Sequence, residues 1–176
     1  NVKDDQDPEI EAISDINIDS DPDVCGAIVN FETIIATDNC EIDTIEVTEG
    51  LSSGSEFPVG KTTVSITVTD MSGNTTTTSF DVNVTDTEAP EITLNCDISQ
   101  STETGVSYAS VDFDSATATD NCNVTVEQTA GPVSGSQFEI GTTTITFTAT
   151  DDAGNTSECS FTITVEDNEG PTITCP

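Results

Sequence analysis

The sequence predicts an all-β chain of two tandem antiparallel β-sandwiches set end to end in an elongated array, and three observations carry that prediction. Apolar residues alternate with Thr, Ser, Asp and Asn at a period of two, the mark of strands with one dry and one wet face. Gly, Pro, Asn and Asp interrupt that alternation roughly every ten residues, which is turn spacing. The whole pattern then returns after about 81 residues, which points to a repeat architecture.

The strands follow in order. Ala27, Val29 and Phe31 face one way, as do Ala109, Val111 and Phe113. Val64, Ile66 and Val68 match Ile145, Phe147 and Ala149, and Phe80, Val82 and Val84 match Phe161, Ile163 and Val165. The Thr-rich opposite face favours extended structure. About seven short strands fit in each unit, the expectation for an immunoglobulin-like sandwich. No stretch carries a helical stripe. Units this small gain from disulfides or metal.

The repeat is carried by four motifs. Ala36-Thr37-Asp38-Asn39-Cys40 returns as Ala118-Thr119-Asp120-Asn121-Cys122, and Gly54-Ser55-Glu56-Phe57-Pro58-Val59-Gly60 as Gly135-Ser136-Gln137-Phe138-Glu139-Ile140-Gly141. Asp70-Met71-Ser72-Gly73-Asn74 returns as Asp151-Asp152-Ala153-Gly154-Asn155. Asp86-Thr87-Glu88-Ala89-Pro90 returns as Asp167-Asn168-Glu169-Gly170-Pro171, and Asp4-Asp5-Gln6-Asp7-Pro8 is an earlier copy. The expected division is therefore 1–7 as the end of a preceding repeat, 8–89 as the first sandwich, 90–170 as the second, and 171–176 as the start of a further one.

Charge bounds the function. Thirty-four acidic residues face two basic ones, Lys3 and Lys61, for a net charge of −32. That excludes nucleic acid as a partner and disfavours anionic membranes, both of which need clustered Lys and Arg. No apolar run is long enough to span a bilayer. With no His, seven Phe, one Tyr and no Trp, the chain lacks both acid–base groups and the aromatic cleft of a glycosidase, so no enzyme is expected. Six cysteines without His or a Cys-x-x-Cys spacing suggest disulfides rather than zinc.

The clustered carboxylates suggest Ca²⁺ as the cofactor. Strands of a sandwich alternate up and down, so the linker, the loop after the second strand and the loop after the sixth should meet at one end. In the second repeat those segments hold Asp86, Glu88, Asp120, Asn121, Asp151 and Asp152; in the first, Asp4, Gln6 or Asp7, Asp38, Asn39 and Asp70. Asp167 and Glu169 are a half-set awaiting a further repeat. Ca²⁺ takes six to eight oxygens of this kind. The competing reading is that these are solvated turn residues, since Asp and Asn favour turns without any metal. Four Asn-x-Ser/Thr sequons, at Asn74, Asn83, Asn123 and Asn155, are read as chance in so Thr-rich a chain.

Cys25-Gly26-Ala27-Ile28-Val29, the two Ala-Thr-Asp-Asn-Cys motifs, Phe57-Pro58-Val59-Gly60, Thr150-Asp151-Asp152-Ala153-Gly154-Asn155, Cys159-Ser160-Phe161-Thr162 and the closing Gly170-Pro171-Thr172-Ile173-Thr174-Cys175-Pro176 together resemble the hyalin repeat, or HYR domain, over nearly the whole chain. The resemblance implies an immunoglobulin-like extracellular module with an adhesive or structural role. It also implies two kinds of disulfide. One joins the start of the second strand to the Asp-Asn-Cys loop, here Cys25–Cys40; the other joins the first strand to the last, here Cys96–Cys159. Ser14 and Thr78 replace the second pair in the first repeat, and Ser107 leaves Cys122 without its implied partner. Cys122 is then a buried thiol, or is bonded to another chain, or belongs to a rearranged pair. Cys175 belongs to a further repeat.

The function expected from all this is a non-catalytic structural or adhesive segment of a secreted or cell-surface multi-repeat protein: a stalk, adhesin or extracellular filament whose junctions Ca²⁺ makes rigid. The alternative is a spacer or accessory carbohydrate- or protein-binding module of a secreted enzyme. The expected partners are neighbouring repeats of the same chain, other copies in a filament, and an extracellular ligand.

Overall fold

The computed structural model describes residues 4–94 and 97–173, and the described chain divides into two compact units, Asn1–Thr87 and Glu88–Pro176. Cys96 and Cys175 lie outside the described residues.

The first unit holds β1 (Glu9–Ile10), β2 (Ile16–Asp19), β3 (Gly26–Val29), β4 (Ala36–Thr37), β5 (Ile42–Glu49), β6 (Ser55–Pro58), β7 (Gly60–Asp70) and β8 (Thr75–Thr85). The second repeats it strand for strand: β9 (Glu91–Thr93), β10 (Ile98–Ser101), β11 (Tyr108–Val111), β12 (Thr117–Thr119), β13 (Val124–Ala130), β14 (Ser136–Glu139), β15 (Gly141–Asp151) and β16 (Thr156–Glu166). One layer of each unit is a four-stranded sheet, ordered β2-β8-β7-β5 or β10-β16-β15-β13. The other layer consists of two short ladders, β1-β4 and β3-β6, or β9-β12 and β11-β14.

The alternation seen in the sequence is the burial pattern. Val64, Ile66, Val68, Phe80, Val82 and Val84 are buried in the first unit, with Ala27, Val29 and Phe57 closing the core from the opposite layer. Phe31 stacks edge-on against Phe80 with ring centroids 5.2 Å apart, and Phe113 does the same with Phe161 at 5.3 Å. The cores are separate: one is built around Phe57, the other around Phe138. On the wet face the Thr residues bond across strands, with the hydroxyls of Thr48 and Thr67 3.1 Å apart and those of Thr67 and Thr77 2.9 Å apart.

One departure from simple antiparallel pairing matters. The first strand breaks in two: β1 pairs antiparallel with β4, and the chain then crosses layers so that β2 runs parallel to β8. β9 and β10 do the same against β12 and β16. The crossing lets one strand close an edge of both layers, and Ile13 and Ile16 pack on the core as it passes. Gly50 and Gly131 occupy one position of the repeat. Both have φ above +80°, and a Cβ there would meet the Thr63 or Thr144 carbonyl, so only Gly fits.

These pairings define two ends of each unit. At the leading end, where the chain enters, Glu9 pairs with Thr37 and Ile42 with Asp70. At the trailing end, where β8 leaves, the Ser20 N–H donates to the Thr85 carbonyl at 2.8 Å. An eleven-residue β7 separates the ends by roughly 35 Å at ~3.3 Å per residue.

Candidate metal centre

Each leading end collects the three acidic segments that the repeat pattern singled out. The β1–β4 ladder fixes the first contact, because pairing Glu9 with Thr37 sets the Asp38 loop beside the incoming chain. The β5–β7 ladder fixes the second: Ile42 opposite Asp70, with the Met71 N–H donating to the Glu41 carbonyl at 3.0 Å, lays the β7–β8 hairpin against the same loop. In the second repeat Glu91 opposite Thr119 and Val124 opposite Asp151 play these parts.

Asp86, Asp120 and Asp151 each offer a carboxylate oxygen within 4.8 Å of the other two. Asp86 and Asp151 are buried, at 4% and 6% exposure, and Asp120 is half-buried. Three like charges this close repel by roughly 3 kcal/mol per pair at an effective dielectric of 20. A divalent cation removes that repulsion, and the all-oxygen donor set suits a hard ion such as Ca²⁺ rather than zinc or copper. The donors present therefore fit the cation expected from the sequence.

In the first repeat the corresponding group is Asp4, Asp38 and Cys40, again within 4.8 Å of one another. Asp4 Oδ1 accepts from the Gln6 N–H and from Asn39 Nδ2, both at 3.2 Å, while its buried Oδ2 accepts no hydrogen bond of ordinary geometry. The Cys40 thiol lies against this carboxylate and, with the Gln6 N–H, holds its pKa below the usual value. In return the thiol is pushed up to about 11, first by Asp4 and further by the charges of Asp38 and Asp70. Asp7 lines an open acidic hollow with Gln6, Glu9, Thr37, Asp38 and Asn39.

Asp70 and Asp151 have a second employment. Asp70 is 1% exposed, and its Oδ1 accepts from the Ser72 and Asn74 N–H groups at 2.8 Å while Oδ2 takes Asn74 Nδ2 at 2.7 Å. Asp151 repeats this with the Gly154 and Asn155 N–H groups and Asn155 Nδ2. Burial pushes both carboxyls up, but the hydrogen bonds outweigh it and hold both below the ordinary carboxylate range. A depressed pKa means stability that is present above the ordinary value and lost as pH falls through the folded one. In chelator, the stability gap between the wild-type chain and Asp70→Asn is expected to shrink as pH drops from about 5 to 3. Urea midpoints at each pH measure it, and a gap independent of pH would show that the charge on Asp70 contributes nothing.

The remaining sequence candidates are placed differently. Asp152 is exposed, accepts from Asn123 Nδ2 at 3.0 Å, and is not among the three gathered carboxylates. Glu88 and Asn121 are half-buried. Asp167 accepts from the Glu169 N–H at 2.9 Å, and Glu169 reaches the Gly105 N–H at 2.7 Å, so this half-set is committed to its own unit.

The implied disulfides are corrected by the structure. Cys40 and Cys159 are free thiols, whereas Cys25 and Cys122 are disulfide-bonded. The Cys25–Cys40 pair fails on geometry: Cys25 sits in the turn after β2 at the trailing end, and Cys40 at the leading end. A disulfide needs Cα atoms within about 7 Å. The Cys96–Cys159 pair is not formed either, since Cys159 is a thiol on β16 and Cys96 lies outside the described residues. The reading of Cys122 as a buried thiol gives way with them. Cys40 beside Asp4 is the group that sequence reasoning missed at the first centre; the signal available was its place next to Asp38-Asn39.

A family model described as "HYR domain" matches residues 3–84 and again residues 85–165. The chain is 36% identical over 159 residues to Hyalin of Strongylocentrotus purpuratus, covering 86% of this chain and 13% of that protein. It is 29% identical over 163 residues to the Serine-rich adhesin for platelets of Staphylococcus aureus (strain MSSA476), covering 81% of this chain and 7% of that protein. The chain thus spans a small part of these relatives' length. Among solved structures, mouse cadherin-23 EC22-24 aligns over 92% of this chain and 67% of that one, with a TM-score of 0.41 and 12% identity.

Proposed function

This chain belongs to the HYR-domain family, and on that premise we propose that it is a stiffenable segment of an extracellular adhesive or structural array, with Ca²⁺ bound at the leading end of each repeat. It is an extracellular, non-catalytic repeat segment. The observation that carries the calcium reading is the gathering of Asp86, Asp120 and Asp151, residues far apart in sequence whose mutual repulsion calls for a cation. Asp86, Asp120 and Asp151 are the carboxylate ligands, with Glu88 and Asn121 as the nearest further oxygens along the chain. Asp4, Asp38 and Asn39 form a second, poorer centre, where Cys40 stands among the oxygens. Asp7 is a peripheral donor there, and Asp70 and Asp152 hold turns rather than metal. Asp167 and Glu169 become ligands only when a further repeat supplies the rest.

The partners are neighbouring repeats of the same chain and other copies of the array. A bound cation would fix the linker around Pro90, which is already stiff at that residue. Small-angle scattering tests this. In Ca²⁺ the maximum dimension should be long and sharply defined, and chelator should shorten and broaden the distance distribution. A distribution identical in both conditions would sink the stiffening role.

A further inference from the structure

The first repeat carries an apolar surface that its acidic end does not use. The connection from β3 to β4, residues 30–35, walls two hollows. One, of about 440 Å³, lies between that connection and the crossing segment, and Ile13, Ile16, Ile34 and Ile35 line it. The other, of about 360 Å³, lies between the same connection and β5, and Ile45, Val47 and Ile66 line it. Glu11, Glu32 and Glu46 border the hollows and are exposed. The connection is held at both ends. Ser53 Oγ accepts from the Phe31 N–H at 2.9 Å and donates to the Phe31 carbonyl at 3.0 Å, and the Glu11 N–H donates to the Ile35 carbonyl at 3.0 Å. The walls are therefore preformed, which lowers the cost of binding.

Ile35 is 60% exposed, Ile45 44% and Val47 37%, so these side chains are not filling the core. The fold does not require them either. The second repeat has the same strands, yet its matching register positions hold Thr93, Thr117 and Gln128 in place of Glu11, Ile35 and Val47. Contiguous exposed apolar surface of this kind marks an interaction site. Charge selects the guest. A second copy of this chain brings the same net charge of −32 and is repelled. Of the two lysines it could offer, Lys61 is bound to Asp81 at 2.7 Å and Lys3 lies outside the described residues. The complement of an apolar hollow bordered by three carboxylates is an apolar segment that carries cations.

We propose that the first repeat docks a short segment of another extracellular protein in which aliphatic or aromatic side chains alternate with lysine or arginine. The apolar side chains enter the two hollows, and the cations meet Glu11, Glu32 and Glu46. The second repeat, with Thr117 and Gln128 at these places, offers no such seat.

NMR chemical-shift mapping of the full chain tests this, in chelator so that the result is independent of the calcium reading. The probe is a short peptide of alternating Lys and Leu, and the control is the same peptide with Ser for Leu. The Lys–Leu peptide should shift the amides of Ile13, Ile34, Ile35 and Val47 and leave those of Thr117 and Gln128 in place. The Lys–Ser peptide, of equal charge, should spread small shifts over both repeats. The Ile35→Thr/Val47→Gln variant installs the second repeat's own side chains, which the fold already accommodates, and should weaken the Lys–Leu peptide at least about tenfold. Glu32→Gln/Glu46→Gln should weaken it as well and flatten its dependence on salt. Equal shifts in both repeats, like behaviour of the two peptides, or unchanged affinity in the Ile35→Thr/Val47→Gln variant would overturn the docking site. An unchanged salt dependence in the glutamate variant would overturn its cationic guest.

Discussion

Calcium at about 100 times its dissociation constant is expected to raise the melting temperature of this chain by roughly 10–20 °C over its value in chelator. A ligand that binds only the folded state contributes about 2.7 kcal/mol at that saturation. A domain of this size moves by about 4–8 °C for each kcal/mol. Extracellular Ca²⁺ sites bind in the range of about 10⁻⁴ to 10⁻³ M, so the shift should be complete only at tens of millimolar. Any salt will give some stabilisation, because a net charge of −32 repels itself and is screened by ions. Two controls separate the specific effect. Mg²⁺ at equal ionic strength should produce a much smaller shift, since it demands octahedral geometry and gives up water reluctantly. Asp120→Asn and Asp86→Asn should each remove most of the Ca²⁺-specific increment, because each deletes one of the three gathered charges. Differential scanning calorimetry measures all of these, and equal shifts with Mg²⁺, or with both variants, would assign the effect to screening.

The strands and the core were legible in the sequence because side-chain direction in a strand alternates strictly, so buried and exposed positions are written residue by residue. Val64, Ile66 and Val68 needed no tertiary information to be assigned inward. The convergence of Asp86, Asp120 and Asp151 was legible one level up, from the up-and-down course of the strands. What could not be read was which end of a strand a residue occupies when its position falls in a turn. Cys25 opens the second strand and Cys40 follows it, so they stand at opposite ends; a pairing carried over from a family pattern ignores that distance. The split of the first strand was hidden as well, because nothing local to Glu11–Asp15 distinguishes a crossing from a bulge. The capture of Asp70 by its own hairpin was half-visible: Asp70 and Asn74 read as turn residues, but the three donors that converge on each of Asp70 and Asp151 appear only when the turn is closed.

Replacing Phe138 by Ala should unfold the second repeat selectively, leaving the first intact. Phe138 is buried at 2% exposure on β14 and packs in a core with Ala109, Val111, Ile145, Phe161 and Ile163. A buried Phe→Ala change costs about 3–5 kcal/mol in transfer energy and cavity. A domain of this size is stable by only about 4–13 kcal/mol, so the loss consumes much of the whole margin and lowers the transition by on the order of 20 °C. Phe57 is the matching residue of the first repeat, fully buried at the same place on β6 among Ala27, Val29, Ile66 and Phe80. Because the buried side chains form two separate clusters, the two substitutions should be mirror images. Calorimetry of Phe138→Ala should show one transition displaced downward and one near its wild-type position. Phe57→Ala should displace the other, and the double variant should displace both additively. The alternative outcome is a single transition that moves as a whole in either variant. It would mean that the repeats melt as one cooperative block, with the linker carrying as much coupling energy as a core.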